Sequence, residues 1–168
     1  AEMAGIKFHA AVDTEIWGNH IYRCNRGIWL DWMAQGTRVT RNLLHDNGPS
    51  EDIFMEVNHG PALIDNNLFL SANSILVNSQ GEAFVHNLIA GKIWIVSGEG
   101  RLTPQLKEHA TEVAGLAPNK SGDERYFNNI LIGNANLGEY DKTVLTNWMD
   151  GNVFLNGAKP GEAEPYPL

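Results

Sequence analysis

Residues 39–70, "VTRNLLHDNGPSEDIFMEVNHGPALIDNNLFL", hold two copies of one short pattern with an apolar run between them. "VTRNLL" (39–44) and "LIDNNL" (63–68) each pass from an apolar residue through two variable positions to an asparagine, then one more residue and another apolar one. The two asparagines, Asn42 and Asn66, lie 24 residues apart. Outward from this stretch the pattern recurs as "IWGNHI" (16–21), "FVHNLI" (84–89), "YFNNIL" (126–131) and "MDGNVF" (149–154), placing Asn19, Asn87, Asn129 and Asn152 in the same slot. The spacings are 23, 24, 21, 42 and 23 residues, and 42 is two periods of 21.

A repeat of this length, made of short β-rich units, is expected to build a solenoid in which every coil adds one strand to each parallel sheet. An inward asparagine at a fixed turn then bonds to the neighbouring coils as a ladder. Leucine-rich repeats share the period, but their dense leucine signature and per-repeat helix are missing. The chain therefore reads as all-β, a right-handed parallel β-helix with coils of about 21–24 residues over positions 1–156. The Pro- and Gly-rich segment 157–168 reads as an extended, loosely held tail.

The double-length step marks an excursion over about 97–125. "KIWIVSG" (92–98) starts it as a strand. "TPQLKEHATEVAGL" (103–116) reads as a short helix, with Thr103 as N-cap and Pro104 at the first helical position. "APNKSGDERY" (117–126) follows as a turn-rich loop. Such an excursion is expected either to cover one edge of a binding face or to decorate the packing, with neither reading favoured.

The formal net charge of −8 argues against a nucleic-acid partner, which would need a basic face. No apolar run approaches the length of a membrane span. The single cysteine, Cys24, rules out an internal disulfide framework. Residues 1–20 lack the layout of a signal peptide, and the compartment stays open between bacterial cytoplasm and secretion.

Aligning the coils on their asparagines brings "GIKFHA" (5–10), "GIWLDW" (27–32), "DIFMEV" (52–57) and "SILVNS" (74–79) to equivalent places. Side chains alternate along a strand, so Ile28, Leu30 and Trp32, like Ile53, Met55 and Val57, are expected to face the core. Trp29 with Asp31, and Phe54 with Glu56, are expected to face outward. Adjacent strands lie about 4.7–4.9 Å apart, which sets Asp31 beside Glu56 in an outward row His9, Asp31, Glu56, Asn78. Stacked like charges weaken a sheet but drive two proton affinities apart, as paired catalytic carboxyls require. A retaining glycosidase needs its carboxyls about 5–5.5 Å apart. His59 follows the second acid, and Trp29 and Phe54 flank the pair as candidate sugar platforms. The same two acids would also suit a structural Ca²⁺; no organic cofactor is implied.

With these residues in view, the sequence resembles glycoside hydrolase family 120, β-xylosidases built on a right-handed β-helix. The resemblance rests on "GIWLDWMAQGTRVTRNLLHDN", "EDIFMEVNHGP" and "LIDNNLFLS", and extends to "MDGNVFLNGAKP". It implies a retaining mechanism on xylo-oligosaccharides or other β-xylosides, with Asp31 as nucleophile and Glu56 as general acid/base. It also implies a sugar-hydroxyl ligand from an upstream acid, matched by Glu2. His9, Trp29, His59 and Asn78, placed by the register around the pair, are the further candidate sugar contacts. Family members are several times longer, so another chain or an N-terminal region is expected to cap the first coil. Two rival functions fit a β-helix: a polysaccharide lyase, for which Arg38 and Arg41 would be the candidate bases, and a non-catalytic carbohydrate-binding fragment.

Overall fold

Three short strands and three turns make each coil. In the computed structural model, which describes residues 3–96 and 98–168, β1 (Ile6–His9), β2 (Glu15–Trp17) and β3 (His20–Tyr22) form the first coil. β4 (Ile28–Asp31), β5 (Thr37–Thr40) and β6 (Leu43–His45) form the second; β7 (Ile53–Glu56), β8 (Ala62–Asp65) and β9 (Leu68–Phe69) form the third. β10 (Asn73–Asn78), β11 (Glu82–Val85) and β12 (Leu88–Ile89) make the fourth. β13 (Lys92–Ile95) begins the fifth, which resumes with β16 (Arg125–Phe127) and β17 (Ile130–Ile132) after a hairpin, β14 (Leu102–Leu106) and β15 (Val113–Pro118). β18 (Trp148–Asp150) and β19 (Val153–Leu155) close the stack.

Corresponding strands pair in parallel to give sheet A (β1-β4-β7-β10-β13), sheet B (β2-β5-β8-β11-β16-β18) and sheet C (β3-β6-β9-β12-β17-β19). This is a parallel β-helix of about six turns, as the asparagine period requires. Its core is the inward row of every strand, including Ile28, Leu30, Ile53, Met55, Ile64, Phe69, Phe84 and Tyr126, all fully buried. Among the described residues, no helix is long and apolar enough to cross a membrane.

The ladder is real, with one member corrected. Amide-to-amide bonds run from Asn19 to Asn42 (2.9 Å), Asn42 to Asn67 (3.0 Å), Asn67 to Asn87 (3.0 Å), Asn87 to Asn129 (3.1 Å) and Asn129 to Asn152 (2.9 Å). Asn67, not Asn66, is the rung. Asn66 occupies the preceding slot, where the chain turns left-handed in every coil: Gly18 (φ 68°), Arg41 (57°), Asn66 (55°), His86 (55°), Asn128 (55°) and Gly151 (70°). A tandem "NN" satisfies both slots, since asparagine tolerates that backbone region better than most residues. Each rung Nδ2 after Asn19 also donates to a carbonyl of the preceding coil, as Asn67 does to Val39 (2.9 Å) and Asn87 to Ile64 (2.8 Å).

Segment 103–116 is not a helix. Leu102–Leu106 pairs antiparallel with Val113–Pro118, and the chain reverses through His109 at φ 51°. A helix here would have had no face to bury, because most side chains of β15 are exposed. Extended backbone instead meets fixed partners: Leu106 exchanges two 2.9 Å bonds with the Gln35 amide. Pro104 fits an edge strand as readily as a first helical turn. A 3-10 segment at Leu137–Lys142, absent from the sequence reading, buries Leu137 and Tyr140 beneath the last coils.

The tail is tied down rather than loose. Asn152, the last rung, donates to the Glu164 carboxylate, and backbone bonds join Leu168 to Asn152 and Phe154. Glu164 thereby ends a ladder that would otherwise leave an unpaired amide.

One buried pair answers to pH. Glu82 opens β11 and Glu124 precedes β16, and the register sets their wholly buried carboxyls on neighbouring coils. Burial pushes Glu82 up to about 7; burial and the Glu82 charge push Glu124 well above its ordinary value. For a carboxyl raised on folding, the stability contribution is full below the unfolded value of about 4.5 and is lost as pH climbs through the folded value. Thermal melts should therefore show Tm falling on the order of 5 °C between pH 5 and 8. Glu124→Gln is expected to flatten that slope, and an unchanged slope would remove the pair as its cause.

Candidate active site

The register fixes the site. On sheet A, His9 pairs with Asp31, Asp31 with Glu56, and Glu56 with Asn78, so the expected outward row exists. It is held by the inward partners Ile28, Leu30, Ile53 and Met55, all fully buried. Gly27 lets β4 approach β7: a Cβ there would sit 2.4 Å from the Asp52 carbonyl oxygen.

Lys7, His9, Trp29, Asp31, Trp32, Glu56 and Arg101 line a cleft of about 500 Å³ over the acid pair. Asp31 Oδ2 lies 3.0 Å from Lys7 Nζ and 3.1 Å from His9 Nδ1. Burial alone would raise the Asp31 pKa, but bonds to His9 and Lys7 outweigh it and hold the carboxyl below its ordinary value. Glu56 moves the other way: burial first, then the Asp31 charge, raises it. Its Oε2 accepts from Trp29 Nε1 at 2.8 Å, and its Oε1 lies 3.7 Å from Arg101. Two neighbouring carboxyls are thus driven apart, one towards the ionised form and one towards the protonated form.

Trp29 faces outward but is 7% exposed, its ring covered by Lys7 Nζ at 3.6 Å and Arg26 at 4.5 Å. Phe54 lies under the same Arg26 at 4.5 Å, so neither ring offers an open stacking face. Trp32 is corrected from core to cleft. The backbone turns left-handed at Trp32 (φ 22°) and Met33 (φ 67°), which breaks the strand alternation after Asp31. Its ring meets His9 edge-on at 5.7 Å, and its Nε1 donates to Thr103 Oγ1 at 3.3 Å. Asn78 keeps its place in the row but is 8% exposed. His59 is outside the cleft, bonded to the Thr103 carbonyl at 3.0 Å. It lines a second groove of about 480 Å³ with Arg38, Leu63 and Arg125, which holds no pair of carboxyls. Glu2 lies outside the described residues.

Lys7 and Arg101 were missed by the sequence reading. Lys7 had a signal, since it sits two residues before His9 and pairs with Trp29. Arg101 had none, because it arrives on the segment leading into the hairpin. Arg101 thus walls the cleft from outside the coils, Thr103 of the hairpin bonds Trp32, and the hairpin reaches back to the first coil, where His109 Nδ1 lies 3.0 Å from Asp13. Among the described residues, no group of three His, Cys, Asp or Glu converges as a metal site.

No family model matches the chain, and no curated protein matches it. Among solved structures, it is similar to XylC in complex with xylose, with a TM-score of 0.90 and 40% sequence identity over 98% of this chain. The chain spans 30% of the length of that XylC chain.

Proposed function

We propose that the chain carries the reacting carboxyls of a retaining glycoside hydrolase acting on β-xylosides or xylo-oligosaccharides. The observation that carries this reading is the Asp31–Glu56 register pair, with proton affinities displaced in opposite directions. The likeness to XylC, a protein solved with xylose, supports xylose as the sugar.

Asp31, ionised and held by Lys7 and His9, attacks the anomeric carbon as Glu56 gives its proton to the departing oxygen. The C–O bond to the leaving group breaks and an ester to Asp31 forms. Glu56, now a carboxylate, takes a proton from water as that water attacks the same carbon. Asp31 leaves, and the product keeps the configuration of the substrate. The Trp29 N–H fixes one Glu56 oxygen and leaves the other for the proton.

The first step needs Asp31 without its proton and Glu56 with one, so kcat/KM is expected to be bell-shaped in pH. The acid limb falls below the ordinary aspartate range and the alkaline limb above the ordinary glutamate range; both belong to the coupled pair. Arg101→Ala removes a cation beside Glu56, so the alkaline limb should move to higher pH. A limb that stays or moves down would exclude Arg101 from setting it.

The testing experiment is hydrolysis of p-nitrophenyl β-D-xyloside by the folded chain, with the first-formed anomer followed by NMR. Release of β-xylose supports the proposal. First-formed α-xylose, an unsaturated product absorbing in the ultraviolet, or ligand binding without turnover would overturn it.

A further inference from the structure

Away from the cleft, two imidazoles converge on the outer face of sheet C. His20 on β3 and His45 on β6 stand on adjacent strands of the first and second coils. Their Nε2 atoms face each other at 2.7 Å, with ring centroids 4.9 Å apart. Tyr22 stacks against both, at 4.8 Å from His20 and 5.4 Å from His45. The rear nitrogen of His45, Nδ1, lies 2.8 Å from the Asp46 carboxylate.

That carboxylate decides the tautomer. With its Nδ1–H given to Asp46, His45 presents a bare Nε2 lone pair towards His20. A carboxylate behind a ligating imidazole is the usual outer partner of a metal-bound histidine, fixing its orientation and raising its basicity. His20 is free to carry its own proton on Nδ1, which turns a second lone pair to the same point. Both imidazoles reach solvent, so the Nε2 atoms can separate by about 0.6 Å, from 2.7 Å to the roughly 3.3 Å that two nitrogens at about 2.0–2.1 Å from one ion require.

We propose that His20 and His45 chelate one late first-row divalent ion, Zn²⁺, Ni²⁺ or Cu²⁺, with water completing its coordination. Imidazole suits these ions. A net charge of −8 favours any cation at the surface. The ion would staple the first coil to the second. The first coil carries Lys7 and His9, the two groups that hold Asp31, so the staple would steady the support of the acid pair from the opposite sheet.

The test is calorimetric titration of the untagged full chain with ZnCl₂ and with NiCl₂, beside His20→Gln, His45→Gln and Asp46→Asn. One ion per chain is expected, with affinity reduced at least tenfold in either histidine variant and severalfold in Asp46→Asn. A second readout needs no variant. Zinc should protect His20 and His45 of the wild-type chain from diethylpyrocarbonate, read by peptide mapping, while His86 and His109 react as before. Absence of binding, unchanged affinity in both histidine variants, or protection elsewhere would overturn the proposal.

Discussion

Glu56→Gln is expected to lower kcat on xylo-oligosaccharides by about 10²–10⁴-fold, the range for removing a positioned general acid. The loss should be smaller in the first step for p-nitrophenyl β-D-xyloside, whose leaving group needs little protonation. The glycosyl-enzyme then accumulates, because no base remains to activate water. Azide needs no base, so it should restore turnover in Glu56→Gln and yield β-xylosyl azide. On the proposed mechanism Asp31→Asn removes the attacking carboxylate itself, and azide cannot replace it with the same product. Loss there should be on the order of 10⁴-fold or more. Retention of a tenth of wild-type kcat by Asp31→Asn, or azide rescue of that variant to the β-azide, would separate these residues from the roles given.

The largest expected effect on stability comes from one asparagine and not from its neighbour. Asn67 accepts from the Asn42 N–H and the Asn42 amide at 3.0 Å each, and its own amide donates to Val39 O at 2.9 Å and Asn87 Oδ1 at 3.0 Å. It is fully buried, so Asn67→Ala strands several polar groups that water cannot reach. Each such group costs about 1–3 kcal/mol, and a total of about 3 kcal/mol or more is expected. In a domain of this size that is a fall in Tm of roughly 6–12 °C. Asn66→Ala keeps the ladder and places alanine at a left-handed position, at about 1–2 kcal/mol. Parallel melts of the two variants decide the rung: equal losses would remove the special status of Asn67.

That contrast also shows where sequence reasoning reached and where it stopped. The period was readable because each rung repeats one chemical requirement, a short amide reaching both along the stack and into the backbone. The register on sheet A followed from it, and with it the pairing of His9, Asp31, Glu56 and Asn78. The choice between Asn66 and Asn67 was not readable, because asparagine suits both a rung and a left-handed turn. Trp32 was misplaced for a related reason: strand alternation says nothing about the residue at which a strand stops. The hairpin was misread as a helix because Thr103-Pro104 opens either element, and its partners Gln35, Trp32 and His59 lie 44 or more residues away. The opposed proton affinities come from His9 and Lys7 at Asp31 and from burial and the Asp31 charge at Glu56, an arrangement that exists only after folding.

The rung from Asn87 to Asn129 crosses a sequence gap of 42 residues at 3.1 Å, against 3.0 Å for the rungs that cross 20 and 25. The scaffold does not register what is spliced between them. Closing a longer loop adds little, since its entropy grows only with the logarithm of length. The wall of the cleft can therefore be lengthened, trimmed or exchanged while the acid pair and every rung stay in place. The lining of the cleft and the fold are separately mutable in this architecture: one is written in an insertion, the other in a column of amides.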